Sequence, residues 1–276
     1  MKALREGLAA NRIDWLAGII NGTCNFILSA MFQRGADFGA VLSEAQALGY
    51  AEADPSFDVD GIDAAHKLTI LAAIAFGIPL QFERTYIEGI RDITLADITY
   101  AQKLGYRIKH LGIARQRDSG IELRVHPTLV PETQLLANVD DVMNAVMVQG
   151  DAVGPTLYYG AGAGAEPTAS AVVADIVDVV RALTGDPENR VPHLAFQPGE
   201  LADLPILEME AVETAYYLRM TAVDRPGVLA DVTRILGELG ISIEAILQQD
   251  SGAGDTGVPI VILTHRVIEA QMNQAI

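Results

Sequence analysis

At Tyr106 the hydrophobic pattern of this chain changes period from helical to alternating, and no other feature constrains the fold as much. Apolar and polar residues alternate over 106–117 and 121–130, as on half-buried strands, and Asp118-Ser119-Gly120 between them is hairpin chemistry. Segments 142–149 and 156–159 read as further strands, and a helix is expected over about 168–183. Helices followed by a meander of strands predict an α+β domain: an open mixed β-sheet with helices on one face.

The helical part carries its own punctuation. Residues 2–10 read as the tail of a helix and 13–20 as an apolar strand. Asn21-Gly22 is a turn, and Thr23 is placed to cap a helix running to about Gln33. Asp37 suits the cap of the next helix, which Gly49 ends. A long helix is expected over about 60–76, closed by Gly77 and Pro79, and another over 94–104. Ile62, Leu68, Ile70, Leu71, Ile74 and Phe76 surround most of the long helix, so it should be well buried. Segment 185–205 holds Pro187, Pro192, Pro198 and Pro205 with little periodicity, and reads as linker and edge structure.

The candidate chemistry lies at 44–67, E-A-Q-A-L-G-Y-A-E-A-D-P-S-F-D-V-D-G-I-D-A-A-H-K. Between Arg34 and Lys67 stand seven acids (Asp37, Glu44, Glu52, Asp54, Asp58, Asp60, Asp63) and no Lys or Arg. Asp54 precedes Pro55, which pushes its backbone toward an extended form, so regular helix is interrupted there. After Gly61 the helical pattern resumes, and Asp63 and Lys67 fall at i and i+4, acid first. A carboxylate-rich loop facing an Asp–Lys pair suits a ligand with an ammonium group and a polar carbon centre, the lysine passing a proton. The same spacing also describes a solvated surface pair worth a few tenths of a kcal/mol. On a buried helix, however, neither charge can be left unpaired cheaply.

Composition excludes several other classes. A formal net charge of −17 argues against nucleic acid and anionic membrane as partners. Cys24 is the only cysteine, so no disulfide framework is available, and a reducing, cytoplasmic setting fits. With no basic neighbour in sequence, Cys24 reads as a small buried residue rather than a nucleophile. The five histidines are scattered, and no metal-ligand spacing is present. No secretory signal or membrane-length apolar run is apparent in these 276 residues.

The run A-x3-G-Y-A-E-A-D-P-x2-D-V-x-G-x-D-x3-K, from Ala45 to Lys67, resembles the signature of homoserine dehydrogenases. The likeness extends to G-I-I-N-G-T-C-N-F-I-L at 18–28 and G-A-G-A-G-A-E-P-T-A-S-A-V at 160–172. It covers the C-terminal part of such enzymes, whose Rossmann domain lies ahead of this region, so the chain reads as a fragment that begins after it. The resemblance implies reduction of aspartate 4-semialdehyde to homoserine with NADPH or NADH. It assigns Lys67 as proton donor, and Asp63 as the residue that orients it. Glu52 would bind the substrate amino group, with Tyr50, Asp54 and Asp58 shaping the pocket. Thr23 would touch nicotinamide or substrate, and Gly22, Gly162 and Gly164 would face a cofactor, NADP or NAD, held mainly by the absent domain. Association into a homodimer through the sheet is also implied.

From about residue 206 the pattern restarts as β-α-β-β-α: strand 213–223, a turn at 224–227, helix 228–239, strand 241–248, a flexible loop at 250–257, strand Val258–Thr264, and a helix from Ile268. D-R-P-G-V-L at 224–229 resembles the opening of an ACT domain, a ferredoxin-like βαββαβ module that commonly binds an amino acid between copies. Its last strand is not found here, which would bare the edge of the first. The chain is thus expected to comprise a catalytic and dimerisation domain over 1–205 and a truncated ACT-like regulatory domain over 206–276. Two alternatives stay open: a non-catalytic module that binds threonine and oligomerises, and a purely structural helix–sheet protein with an acidic surface.

Overall fold

The expected hairpin forms: β3 (Tyr106–Arg117) and β4 (Gly120–Pro131) pair antiparallel with Arg117 opposite Gly120, leaving a two-residue turn, Asp118-Ser119. This computed structural model describes residues 1–186, 190–223, 225–248 and 257–276, in two units, Met1–Ile206 and Leu207–Ile276. The remaining strands of the first unit's main sheet are β1 (Ile13–Ile19), β2 (Tyr86–Ile87), β5 (Met143–Gly150) and β6 (Gly154–Ala161). The sheet order is β2-β4-β3-β1-β5-β6, so the strands do not form a simple meander. β1 lies between β3 and β5 because it is apolar on both faces: Leu16 and Ile19 point opposite ways, and both are buried. β2 runs parallel to β4, which makes the sheet mixed as expected.

Helices cover one face. α4 (Ile62–Phe76) lays Ala65, Leu68 and Ala72 on Leu16, Ala114, Leu123 and Val125 of the sheet. α1 (Gly22–Arg34) and α5 (Leu95–Lys103) build a second cluster from Ile27, Met31, Ile98 and Ala101. α2 (Phe38–Ala47) is capped by Asp37, whose carboxylate accepts from the Ala40 amide at 3.1 Å, and Gly49 ends the segment at φ +75°. The cap of α1 is Asn21, not Thr23: its Oδ1 accepts from the Cys24 amide at 2.8 Å. Thr23 is inside the first turn, so its hydroxyl is free for other partners. A short helix, α3 (Ser56–Val59), follows Pro55, and α4 starts at Ile62 rather than near Asp60 because Gly61 turns the chain at φ +86°.

α6 (Ala165–Thr184) begins three residues before its expected start, at Gly164 with φ +113°. Its Asp178 pairs with Arg5 of a turn of π-helix at Ala3–Gly7 and with Lys2 just before that turn. Pro187 of the expected linker lies outside the described residues. Beyond it the chain returns to the sheet: the Ala202 amide donates to Gly77 O at 2.7 Å and the Ile121 amide to Pro205 O at 2.8 Å.

In the second unit the expected strand 213–223 is two strands, β7 (Glu213–Thr214) and β8 (Tyr217–Ala222). The chain continues through α7 (Val228–Glu238), β9 (Ile243–Gln248), β10 (Val258–Thr264), β11 (Val267–Ile268) and α8 (Glu269–Ala275). Sheet order β8-β10-β9, with β7 on β11, is that of a ferredoxin-like module, and α7 and α8 share its core through Leu236 and Met272. Asp224 of the expected turn, and 250–256 of the expected loop, lie outside the described residues.

Candidate active site

Helical spacing alone brings Asp63 and Lys67 together, with Lys67 Nζ 2.7 Å from Asp63 Oδ2. Tertiary structure adds the rest. Where β1 ends and α1 begins, Asn21 Nδ2 donates to Asp58 Oδ1 at 2.7 Å and to Asp63 Oδ2 at 2.9 Å. Thr23 Oγ1 lies 2.7 Å from Tyr50 O and 3.1 Å from Asp58 Oδ2 and donates between them. Lys67 also donates to Ile20 O at 3.3 Å. A lysine ammonium has three N–H groups. Two of those on Lys67 are engaged, and the third has no partner among the described residues. The side chain is 47% exposed, so that N–H is accessible to a ligand.

The rest of the acidic loop stands apart from this network. Tyr50 packs its ring edge-on against Phe26, with centroids 5.1 Å apart, and stays partly exposed. Glu52 is exposed, and its backbone carbonyl accepts from Gln46. Asp54 accepts from the Ser56 hydroxyl at 2.6 Å and the Ser56 amide at 3.1 Å, and these bonds hold its carboxyl below the usual carboxylate range. It opens α3 and does not join the cluster. Arg91 ties both ends of α3 by pairing with Asp60 and donating to Ser56 Oγ. Cys24 is buried beneath, its thiol donating to Asp58 O at 3.2 Å, and burial followed by the nearby Asp58 pushes it well up, so it stays protonated. Among the described residues no three His, Cys, Asp or Glu side chains gather as a metal site.

A second set of residues meets beside Gly22. A Cβ on Gly22 would stand 3.0 Å from Val142 O and 3.6 Å from Asn144 Oδ1. A Cβ on Gly162 would overlap Asn144 Nδ2 and stand 2.6 Å from Asn144 Cγ. Asn144 Oδ1 is buried and has no hydrogen-bond partner among the described residues. Gly164 opens α6. The loop before β5 is pinned to α1 by Asn25, whose Nδ2 lies 3.0–3.1 Å from the carbonyls of Val139, Asp141 and Met143. Buried Lys109 completes that anchor, reaching Val139 O at 2.6 Å and Asp140 at 3.1 Å. Sequence reasoning missed Asn21 and Asn144. The Asn-Gly turn was the available signal for the first; the second is set by strand register, Asn144 opposite Gly160, which no local pattern announces.

Comparison with known proteins follows the same lines. The family profile described as "Homoserine dehydrogenase" matches residues 1–177, and that described as "ACT domain" matches 216–276. The chain is 70% identical over its whole length to a homoserine dehydrogenase from Pseudomonas aeruginosa, of which it spans 64%. A crystal structure of a homoserine dehydrogenase from Thiobacillus denitrificans superposes with TM-score 0.94 at 69% identity, covering all of this chain and 62% of that one. A hyperthermophilic archaeal homoserine dehydrogenase, solved in complex with NADPH, matches 64% of this chain and 50% of its own, with TM-score 0.55 and 30% identity. With this likeness spread along its length, the chain belongs to the homoserine dehydrogenase family.

Proposed function

We propose that, as part of a longer protein like its relatives, this chain supplies the substrate side and the proton-transfer group for interconversion of L-aspartate 4-semialdehyde and L-homoserine, in threonine, isoleucine and methionine biosynthesis. The observation that carries this reading is the half-exposed Lys67 ammonium, held by Asp63 and Ile20 with one N–H left over. Lys67 gives that proton to the aldehyde oxygen on reduction and accepts it on oxidation. Asp63 fixes the ammonium, and Asn21 fixes Asp63 against Asp58. Thr23 ties the start of α1 to the Tyr50 carbonyl at the pocket edge. The exposed carboxylate of Glu52 is available to the substrate ammonium, with Tyr50, Asp54 and Asp58 as pocket walls.

A nicotinamide cofactor fits the second set of residues: an orphaned amide oxygen on Asn144, and a position at Gly162 that a Cβ would block. Gly22, Gly162 and Gly164 would line that side, and NADPH or NADH, when bound, supplies the hydride. The archaeal relative's complex with NADPH supports the choice of cofactor class. A cytoplasmic homodimer is part of the same reading. The domain division is placed at 205/206, the catalytic and dimerisation part first.

The test joins these 276 residues to the part of the Pseudomonas aeruginosa relative that they do not cover, and follows absorbance at 340 nm with homoserine and NADP⁺ or NAD⁺. Lys67→Ala should cut kcat by roughly 10²–10⁴, as loss of a proton-transfer group does, with cofactor affinity little changed. Undiminished turnover would remove Lys67 from the reaction.

The ACT match favours a second, compatible role: threonine as an effector of unit 207–276. A groove of about 500 Å³ lies beside β8, α7 and the end of α8, lined by Leu218, Arg219, Met220, Val232, Ile235 and Leu236 among others. The lining is mostly apolar, with Arg219 as its one cation. A thermal shift of the 276-residue chain in millimolar threonine, without cofactor, tests this role. An unmoved unfolding midpoint counts against threonine binding.

A further inference from the structure

We infer that Asn144 reads the carboxamide of the nicotinamide ring, an inference that rests on the dinucleotide-dependent reaction proposed above. Asn144 stands near the start of β5, opposite Gly160 of β6. The strand end beside it runs on through Gly162 and Gly164 into α6, and Gly22 on its other side opens α1. Its side chain therefore lies between the two glycine-lined starts that the cofactor reading needs. It is not one of the hydrophobic residues that hold the sheet to its helices, and its Oδ1 has no hydrogen-bond partner among the described residues.

One feature points to a ligand, and a second shows that the backbone is built around this amide. First, Asn144 Oδ1 is buried without a donor among the described residues, and native structures rarely leave a buried amide oxygen so. Second, the neighbouring backbone is cleared for this amide. A Cβ on Gly162 would overlap Nδ2, and a Cβ on Gly22 would stand 3.6 Å from Oδ1. The space that a Cβ on Gly162 would take is filled by the amide itself, which lies flat against the glycine backbone. A planar group with one acceptor and one NH₂ donor is complementary to another primary carboxamide: each donates one N–H to the other's oxygen. The nicotinamide ring carries such a carboxamide, and hydroxyl, phosphate and carboxylate ligands do not.

The location agrees with the chemistry at Lys67. Lys67 Nζ donates to Ile20 O, and Gly22 is two residues further on, so ammonium and amide flank the same short stretch of chain. A ring held by its carboxamide at Asn144 would be placed near Gly22 and so near the stretch that Lys67 contacts. Asn144 would thus set which part of the ring faces the substrate without touching the substrate itself.

The experiment uses the joined chain described above and measures dissociation constants by calorimetry, without substrate. The probes are NADP⁺ and its 3-acetylpyridine analogue, which keeps the carbonyl and replaces the NH₂ by methyl. Wild type should prefer NADP⁺ about tenfold, the scale of one well-placed hydrogen bond. Asn144→Ala should weaken NADP⁺ about a hundredfold, by two hydrogen bonds, and the analogue about tenfold, by the one it keeps, so the preference falls to roughly one, with the KM for homoserine little moved. A role in packing alone would weaken both dinucleotides equally and leave the preference intact, which would overturn the inference. If Asn144→Ala does not fold, Asn144→Ser gives the same readout. A wild type that binds neither dinucleotide would sink the dehydrogenase reading as well. A wild type that binds and turns over, with the preference surviving in the variant, would sink only the role of Asn144.

Discussion

Asn21 shows how much one side chain can carry. Its Oδ1 caps α1, and its Nδ2 bridges Asp58 and Asp63. Removing it deletes a cap worth about 1 kcal/mol and leaves two carboxylates facing each other without their shared donor. Asn21→Ala is expected to lower stability by about 1–3 kcal/mol in urea unfolding and to reduce turnover of the joined chain. Asn21→Asp should do worse, because it places a third carboxylate in the cluster. An Asn21→Ala protein of wild-type stability and activity would show that the bridge does nothing. Thr23 was legible as a helix-start residue, yet its hydroxyl serves Tyr50 and Asp58 instead. The choice between the two depends on where Asp58 lies, and that is not a local property.

At the scale of elements, α3 positions Asp58 and is itself held by contacts from far along the chain. Gly89 passes so close that a Cβ there would overlap Val59 O and stand 2.6 Å from Asp60 Cα, both backbone atoms that cannot swing aside. Gly89→Ala should therefore push α3 off its seat, costing about 1–3 kcal/mol as overpacking does, and raise the KM for homoserine more than it lowers cofactor affinity. Paired unfolding and steady-state measurements check both parts. Gly61 is constrained differently: φ is +86°, and a Cβ would press on Ile87 and His110 at 3.1–3.2 Å. It makes the corner between α3 and α4 that aims Asp63 and Lys67 at the loop. The corner and the Asp63–Lys67 spacing could be read from the sequence. The seat of α3 under residues 88–91 could not, because it joins segments thirty residues apart.

Over the whole molecule, the sheet holds a half-buried histidine that links stability to pH. His126 on β4 donates from Nδ1 to Pro127 O at 2.8 Å and accepts at Nε2 from Arg124 at 2.7 Å. Burial, then the Arg124 charge, lower its pKa from 6.5 to about 4, so the native ring is neutral across most of the acid range. The unfolded ring takes up a proton as pH falls through about 6.5, and the folded ring does so only near 4. The stability tied to the neutral ring is full above about pH 6.5 and is lost as pH drops to about 4, up to about 3 kcal/mol. Urea midpoints between pH 7 and 4 should fall more steeply in wild type than in His126→Asn; parallel curves would rule the linkage out.

By itself the sequence determined what depends on neighbours along the chain. Periodicity set helices and strands, Asp37 and Thr94 set helix starts, Gly61 and Gly77 set turns, and the i,i+4 spacing joined Asp63 to Lys67. The runs at 18–28, 45–67 and 160–172 also carry the family resemblance. Tertiary structure alone decided that β1 enters the middle of the sheet, that Asn21 and Asp58 complete the lysine site, and that Asn144 faces Gly22 and Gly162. The physical reason is that strand order and register are chosen by burial and hydrogen bonding between segments remote in sequence. A polar residue that ends up between two such segments leaves no periodic trace of its partners.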